Sequence, residues 1–302
     1  MDEEIKTANP LGYQKISKLL RSLAIPAIIA NLVNALYNVV DQIFIGQGIG
    51  YLGNAATNIA FPITTICLAI GLTLGIGGAS NFNLELGKGN PEKSKHTAGT
   101  AASTLIIIGI ILCISIRIFL EPLMISFGAT DKILQYAMEY TGITSYGIPF
   151  LLFSIGVNPL VRADGNARYS MMAIIVGAVL NTILDPLFMF VFHWGIAGAA
   201  WATVISQVVS ASLLLIYFPR FKSVKFSLND FIPQVHYLKR IISLGFASFI
   251  YQFSNMIVLI TTNNLLKFYF NFLTSICGSN SSISFLLPTP TENDVAPPAA
   301  DA

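Results

Sequence analysis

The chain has 302 residues, of which 54% are hydrophobic and only 11% charged, and its mean hydropathy is +0.68. A soluble domain carries about 25% charged residues, so an ordinary globular protein is excluded and an all-α polytopic membrane protein is indicated. The net charge of +2 gives no footprint for nucleic acid, and three scattered cysteines, Cys67, Cys113 and Cys277, form neither a disulfide framework nor a metal site.

Residues 1–20 are polar and lack the short apolar core and small-residue cleavage site of a secretory signal, so the first span is expected to act as its own anchor. Seven apolar segments follow, over 21–46, 55–80, 98–119, 134–161, 169–192, 196–218 and 240–266. Each is close to the length that crosses about 30 Å of hydrocarbon. Pro26 in the first and Pro62 in the second predict bends, tolerated where neighbours satisfy the freed carbonyls.

The first span contains NLVNALYNVVDQIFIG. Asn31, Asn34, Asn38 and Asp41 recur at steps of three and four, which puts them in one stripe on a helix. An Asp inside a spanning helix costs roughly 3 kcal/mol on insertion scales and is expected to face a bundle interior or a water cavity. Either a polar helix contact or a cation or proton site satisfies that requirement.

Span five supplies a second acid in GAVLNTILDPLFMF, where Asn181 and Asp185 stand four apart on one helix face. Counted from Arg21 and Arg168, Asp41 and Asp185 lie roughly 30 Å and 26 Å along their helices, at similar depth in the outer half. They are expected to face one another, with Asn158 of span four and Thr203 of span six adding neutral oxygens. Two carboxylates in a partly dehydrated cavity cannot both stay ionised cheaply, which suits proton binding. The set Asp41, Asn181, Asp185 and Thr203 suits Na⁺ equally well. Taken singly, Asn158, Asn181 and Thr203 also read as hydrogen-bonding glue between helices.

Asn34, Tyr37, Met171 and Met172 are candidates for lining a cavity for an apolar ligand, with core packing as the alternative. His193 and Trp194 read as an interfacial anchor, and Glu139 as a solvated residue near the outer end of span four. The small residues in GLTLGIGGAS and GIAGAAWA predict close helix packing.

Lys and Arg cluster before span one, between two and three, between four and five, and between six and seven. The alternate loops hold little more than Arg117 and Lys132, so the N-terminus is expected in the cytoplasm, and the chain in the plasma membrane. Residues 219–239 read as a basic cytoplasmic linker between lobes. After it, LKRIISLGFASFIYQFSNMIVLI aligns weakly with LLRSLAIPAIIANLVNALYNVVD, which suggests a second copy of the first unit. Residues 268–302 change composition and are expected to form a divergent, disordered tail.

LYNVVDQIFIG, GGASNFNLELGKGNPEKSKHTAGTA, RADGNARYSMMAIIVGAVLNTILDPLF and GIAGAAWATVISQ together resemble the multidrug and toxic compound extrusion (MATE) family, above all its DinF-like prokaryotic branch. The likeness covers about residues 15 to 267. It implies an antiporter, not an enzyme, that needs no cofactor. Such a protein expels cationic or amphipathic organic compounds in exchange for H⁺ or Na⁺, from a central cavity between two six-helix lobes in lipid. It further implies a cation site at the positions of Asp41, Asn181, Asp185 and Thr203, with Asn158 nearby and span one bending near Pro26. The pattern departs from the family's twelve spans: one six-span lobe over 21–218 and a single span of the next, 240–267, are present. A truncated or frameshifted, non-transporting product is therefore one expectation, and self-association that supplies the missing lobe is another. A seven-span receptor is disfavoured by a cytoplasmic N-terminus. An intramembrane aspartyl protease is disfavoured because the second Asp sits in LDP and not in a GxGD sequence.

Overall fold

The computed structural model describes residues 15–278, with side chains through most of 15–255. Among the described residues every regular element is helical. The helices are α1 (Ile16–Ile49), α2 (Tyr51–Gly87), α3 (Pro91–Ile118), α4 (Leu120–Ser126), α5 (Asp131–Thr144), α6 (Ile148–Ala163), α7 (Ala167–Pro186), α8 (Gly195–Tyr217) and α9 (Val235–Gly278). The 3₁₀ turn Ser145–Gly147 joins α5 to α6, and a π turn over Leu187–Val191 prolongs α7. The chain forms two compact units, Met1–Gln252 and Phe253–Ala302. The first holds the bundle from α1 to α8 and the opening turns of α9; the described part of the second is the remainder of α9.

Among the described residues, six helical stretches are long and apolar enough to cross a membrane: Ile16–Ile49, Tyr51–Gly87, Pro91–Ile118, Asp131–Ala163, Ala167–Val191 and Gly195–Arg220. They contain all but the edges of the first six segments expected from hydropathy. Most run further because hydropathy marks only the part inside hydrocarbon. At 1.5 Å per residue, the 37 residues of α2 extend about 55 Å, well past a bilayer core. The seventh expected span, 240–266, lies within α9, which continues through 268–278, where the tail was expected to begin. The remainder of that tail, 279–302, and the first fourteen residues lie outside the described residues.

Lipid cannot satisfy backbone polar groups, so each crossing segment must close its own helical hydrogen bonds. Local chemistry sets the ends. Pro91 opens α3, where its missing N–H costs nothing. Asn166 caps α7 by accepting from the Tyr169 N–H at 3.2 Å. Gly50, at φ +82°, is the single-residue joint that turns α1 into α2.

Helices α2, α3 and α6 form the centre of the bundle. Phe82, Leu105, Leu152, Val157, Leu160 and Val161 are fully buried there. The α2–α6 crossing is close enough that a Cβ on Gly75 would collide with the backbone of Gly156, as small residues at membrane helix crossings permit. On α3, Ile106, Ile107, Ile110, Ile111 and Ile114 share one exposed face. An outward apolar stripe of this kind suits hydrocarbon.

Residues 219–239, expected as a linker, are folded onto the end of the bundle that carries most of the basic residues. Asp164, at the end of α6, is fully buried. It accepts from the Tyr217 hydroxyl at 2.8 Å and from the backbone N–H groups of Lys222 and Ser223, each at 2.9 Å. The turn Leu228–Phe231 is closed by a capping box between Ser227 and Asp230. Asp230 meets His96 at 3.1 Å and Lys95 at 3.8 Å on α3. Gly99 lies directly beneath the Asp230 carbonyl, where a side chain would not fit. Arg240 of α9 pairs with the buried Glu85 of α2 at 3.1 Å.

Candidate functional site

Helix α1 lies along α7, and α7 lies along α8. This brings Asp41, Asn181, Asp185 and Thr203 together. Asp185 is fully buried, Asn181 is 2% exposed and Asp41 is 8% exposed. The Asn181 amide donates to Asp185 Oδ1 at 3.2 Å and reaches Thr203 Oγ1 at 3.4 Å. The carboxyl groups of Asp41 and Asp185 lie within hydrogen-bonding reach of each other. Gln42 donates to Asp41 Oδ2 at 3.5 Å and accepts at Oε1 from the Thr57 hydroxyl at 3.2 Å, tying the cluster to α2.

Three oxygens in the cluster, Asp41 Oδ1, Asn181 Oδ1 and Asp185 Oδ2, are buried and accept from no donor among the described residues. No Lys or Arg of the described residues pairs with either carboxylate. Among those residues, no group of three or more His, Cys, Asp or Glu side chains converges as a transition-metal site would. The donor set is two carboxylates, one amide oxygen and hydroxyls, which is hard oxygen chemistry.

Tyr140 of α5 also belongs to the cluster. Its hydroxyl comes close to that of Thr203, and it stands near both Asp41 and Asp185. Tyr37 approaches the same two carboxylates from α1. Sequence reasoning singled out the neighbouring Glu139, which is exposed. A tyrosine near a membrane boundary carries no signal that separates it from an ordinary interfacial anchor.

A cavity of about 240 Å³ opens beside the cluster, walled by α1, α2, α6, α7 and α8. Asn34 and Tyr37 line it, as do Asn31, Asn158, Asn181 and Thr203. Asn181 and Thr203 therefore face the cavity and contact the acid cluster at once. Met171 and Met172 are not among the lining residues; Met172 is 42% exposed. Asn38, the third member of the α1 stripe, is exposed and bonds back to the Asn34 carbonyl at 2.7 Å. Asn158 is engaged elsewhere. Its amide nitrogen donates to the Ser154 carbonyl at 2.8 Å, and its oxygen accepts from Ser170 at 2.7 Å. His193 and Trp194 are exposed at the far end of α7, where Trp194 packs on Phe188 and Phe192.

Comparisons with known proteins agree with this architecture. The MatE family profile matches residues 26–187, more than half of the chain. The multidrug export protein MepA of Staphylococcus haemolyticus is 25% identical over 277 residues, covering 90% of this chain and 60% of that protein. The probable multidrug resistance protein YoeA of Bacillus subtilis is 28% identical over 219 residues, covering 69% of this chain and 47% of its own length. An outward-facing structure of a multidrug resistance MATE family transporter of the MOP superfamily superimposes with a TM-score of 0.76 at 28% identity, covering 86% of this chain and 57% of that one. The chain thus spans about 60% of the length of the first of these relatives.

Proposed function

Since the chain belongs to the MatE family, we propose that its six-span bundle is the ion-coupled half of an antiporter that exports small amphipathic organic compounds. The coupling ion, H⁺ or Na⁺, binds between α1 and α7 at Asp41, Asn181 and Asp185, beside the hydroxyls of Thr203 and Tyr140. The N-terminus and the basic end of the bundle face the cytoplasm of a cell whose plasma membrane holds the protein.

One observation carries this reading: the three buried oxygens that lack a donor, on Asp41, Asn181 and Asp185. A buried acceptor left unpaired costs about 1–3 kcal/mol, and an unpaired buried carboxylate more. A shared proton relieves the two carboxylate oxygens, and a hard monovalent cation coordinated by all three oxygens relieves them together. Coupling to the organic compound follows from the shared wall. Asn181 and Thr203 serve the ion site and the cavity, so whatever orders them for one occupant changes the affinity for the other.

The test is thermal unfolding of the purified chain in NaCl and in KCl at equal ionic strength, across neutral and mildly acidic pH. Bound Na⁺ raises Tm, and the Na⁺ effect shrinks as pH falls because protons occupy the same carboxylates. If H⁺ is the ion, Tm responds to pH alone. Asp41→Asn and Asp185→Asn each remove the response while the chain still reaches the membrane. A Tm indifferent to both ions, or a response intact in both variants, would sink the assignment.

A further inference from the structure

Among the described residues, the cavity has one formal charge on its lining, and that charge is positive. Arg162, in the last turn of α6, is the only ionised side chain among the lining residues. It is partly buried, and its guanidinium makes no ion pair or hydrogen bond among the described residues. Four other basic side chains of the bundle are engaged, whereas Lys93, Lys132 and Arg168 are exposed to solvent. Arg240 and Lys88 hold Glu85, Lys95 meets Glu92 and Asp230, and Arg117 stacks on Tyr146 while bonding the Gly142 carbonyl. The acid nearest to Arg162 in the chain, Asp164, is spent on Tyr217, Lys222 and Ser223. Asp41 and Asp185 do not line the cavity; Asn181, Thr203 and Tyr37 present the wall there.

A guanidinium offers five N–H donors in a rigid fork that matches a carboxylate or phosphate, and in a partly enclosed site that match is strong. Two further lining groups, the Ser154 hydroxyl and Gln207 Oε1, are buried without a partner. The lining also includes Leu68, Leu72, Leu151, Ile155 and Ile174, which suit an apolar body. We propose that the cavity binds an amphiphile bearing an oxyanion, a carboxylate or a phosphate, with the charged group on Arg162 and the apolar body against α2 and α6. This names the class of organic compound in the reading above, on which it rests; the preferred occupant carries negative rather than positive charge.

The experiment compares equilibrium binding of two dansyl-labelled alkyl chains of equal length, one ending in carboxylate and one in trimethylammonium. Both are titrated into the full chain in non-ionic detergent at constant Na⁺ and mildly alkaline pH. The carboxylate binds tighter by about tenfold or more. Arg162→Gln abolishes the preference, Arg162→Lys keeps part of it, and Leu72→Trp, which crowds the cavity, weakens the carboxylate probe. Displacement by dodecanoate identifies a free amphiphile as the source, and displacement by lysophosphatidylglycerol alone identifies a lipid headgroup. Equal affinities, tighter binding of the trimethylammonium probe, or no binding of either overturns the proposal from the unaltered chain alone. So does unchanged carboxylate binding in Arg162→Gln or Leu72→Trp, or equal displacement by zwitterionic lysophosphatidylcholine. The Na⁺ and pH response of Tm is read on the same samples. Its loss strikes the ion site, whereas its survival alongside any of these failures strikes only the anion preference.

Discussion

Asp185 is followed at once by Pro186, and this neighbour shapes what the carboxylate meets. Proline has no N–H to give to the preceding turn, and its ring crowds the carbonyl four residues back. The helix answers by widening into the π turn Leu187–Val191, closed by the Phe192 N–H on the Leu187 carbonyl at 3.0 Å. Such wide turns recur at functional sites. Tyr140 is the contributor most open to a selective test, because its hydroxyl stands beside Thr203 while its ring fills space. Tyr140→Phe keeps the ring and removes the hydroxyl, whose hydrogen bond to the occupied site is expected to be worth about 1 kcal/mol. Ion affinity, read from the Na⁺ or pH dependence of Tm, is expected to fall about fivefold with the fold intact. An unchanged affinity would make Tyr140 a packing residue. Asp41, Asn181, Asp185 and Thr203 were legible as a group because acids and amides inside apolar runs are anomalies that demand partners. Tyr140 was not, since it meets Thr203 only through folding, across more than sixty residues of chain. Arg162 was equally hidden: at the end of a span it reads as a cytoplasmic charge, and only the packing of α6 turns it into the cavity.

At the scale of elements, the segment after α8 holds more structure than its basic composition suggested. Its phenylalanines form a cluster: Phe218 stacks with Phe221 at 5.4 Å between ring centroids, and Phe226 meets Phe218 and Phe221 edge-on at 5.3 Å and 5.1 Å. Aromatic residues at irregular intervals in a short polar stretch have no period to detect, so this contact set stayed invisible in the chain. Asp164 pins the cluster. Asp164→Ala strands the Tyr217 hydroxyl and two backbone N–H groups, and is expected to destabilise the bundle by roughly 2–4 kcal/mol. The measurement is Tm together with trypsin cleavage at the exposed Arg220, Lys222 and Lys225, which is expected to accelerate. Cleavage at the same rate as in the unaltered chain would mean that backbone contacts elsewhere hold the segment.

For the whole molecule, six crossing stretches and their order were readable from hydropathy, because lipid imposes length and apolarity on each one separately. Their ends were not, since helices continue past the hydrocarbon wherever polar residues keep their helical bonds. The sidedness proposed from the distribution of Lys and Arg can be checked directly. In a chain whose native cysteines are replaced by serine, Thr130→Cys lies in the exposed loop between α4 and α5, and Lys225→Cys at the basic end. A membrane-impermeant maleimide added to intact cells is expected to label the first and spare the second until the cells are opened. The reverse pattern would invert the orientation and place Arg162 at the outer mouth of the cavity.

The docked segment also changes where the seam between the halves of such a protein falls. Hydropathy draws it at the end of α8, yet a chain divided there would strip Asp164 of the Lys222 and Ser223 donors, Asp230 from His96, and Arg240 from Glu85. The self-contained piece runs on into the first turns of α9. Anyone splitting, fusing or swapping halves among these transporters gains by moving the join past Ile241, a fully buried residue, because the stretch that looks like spare rope is stitched into the first half.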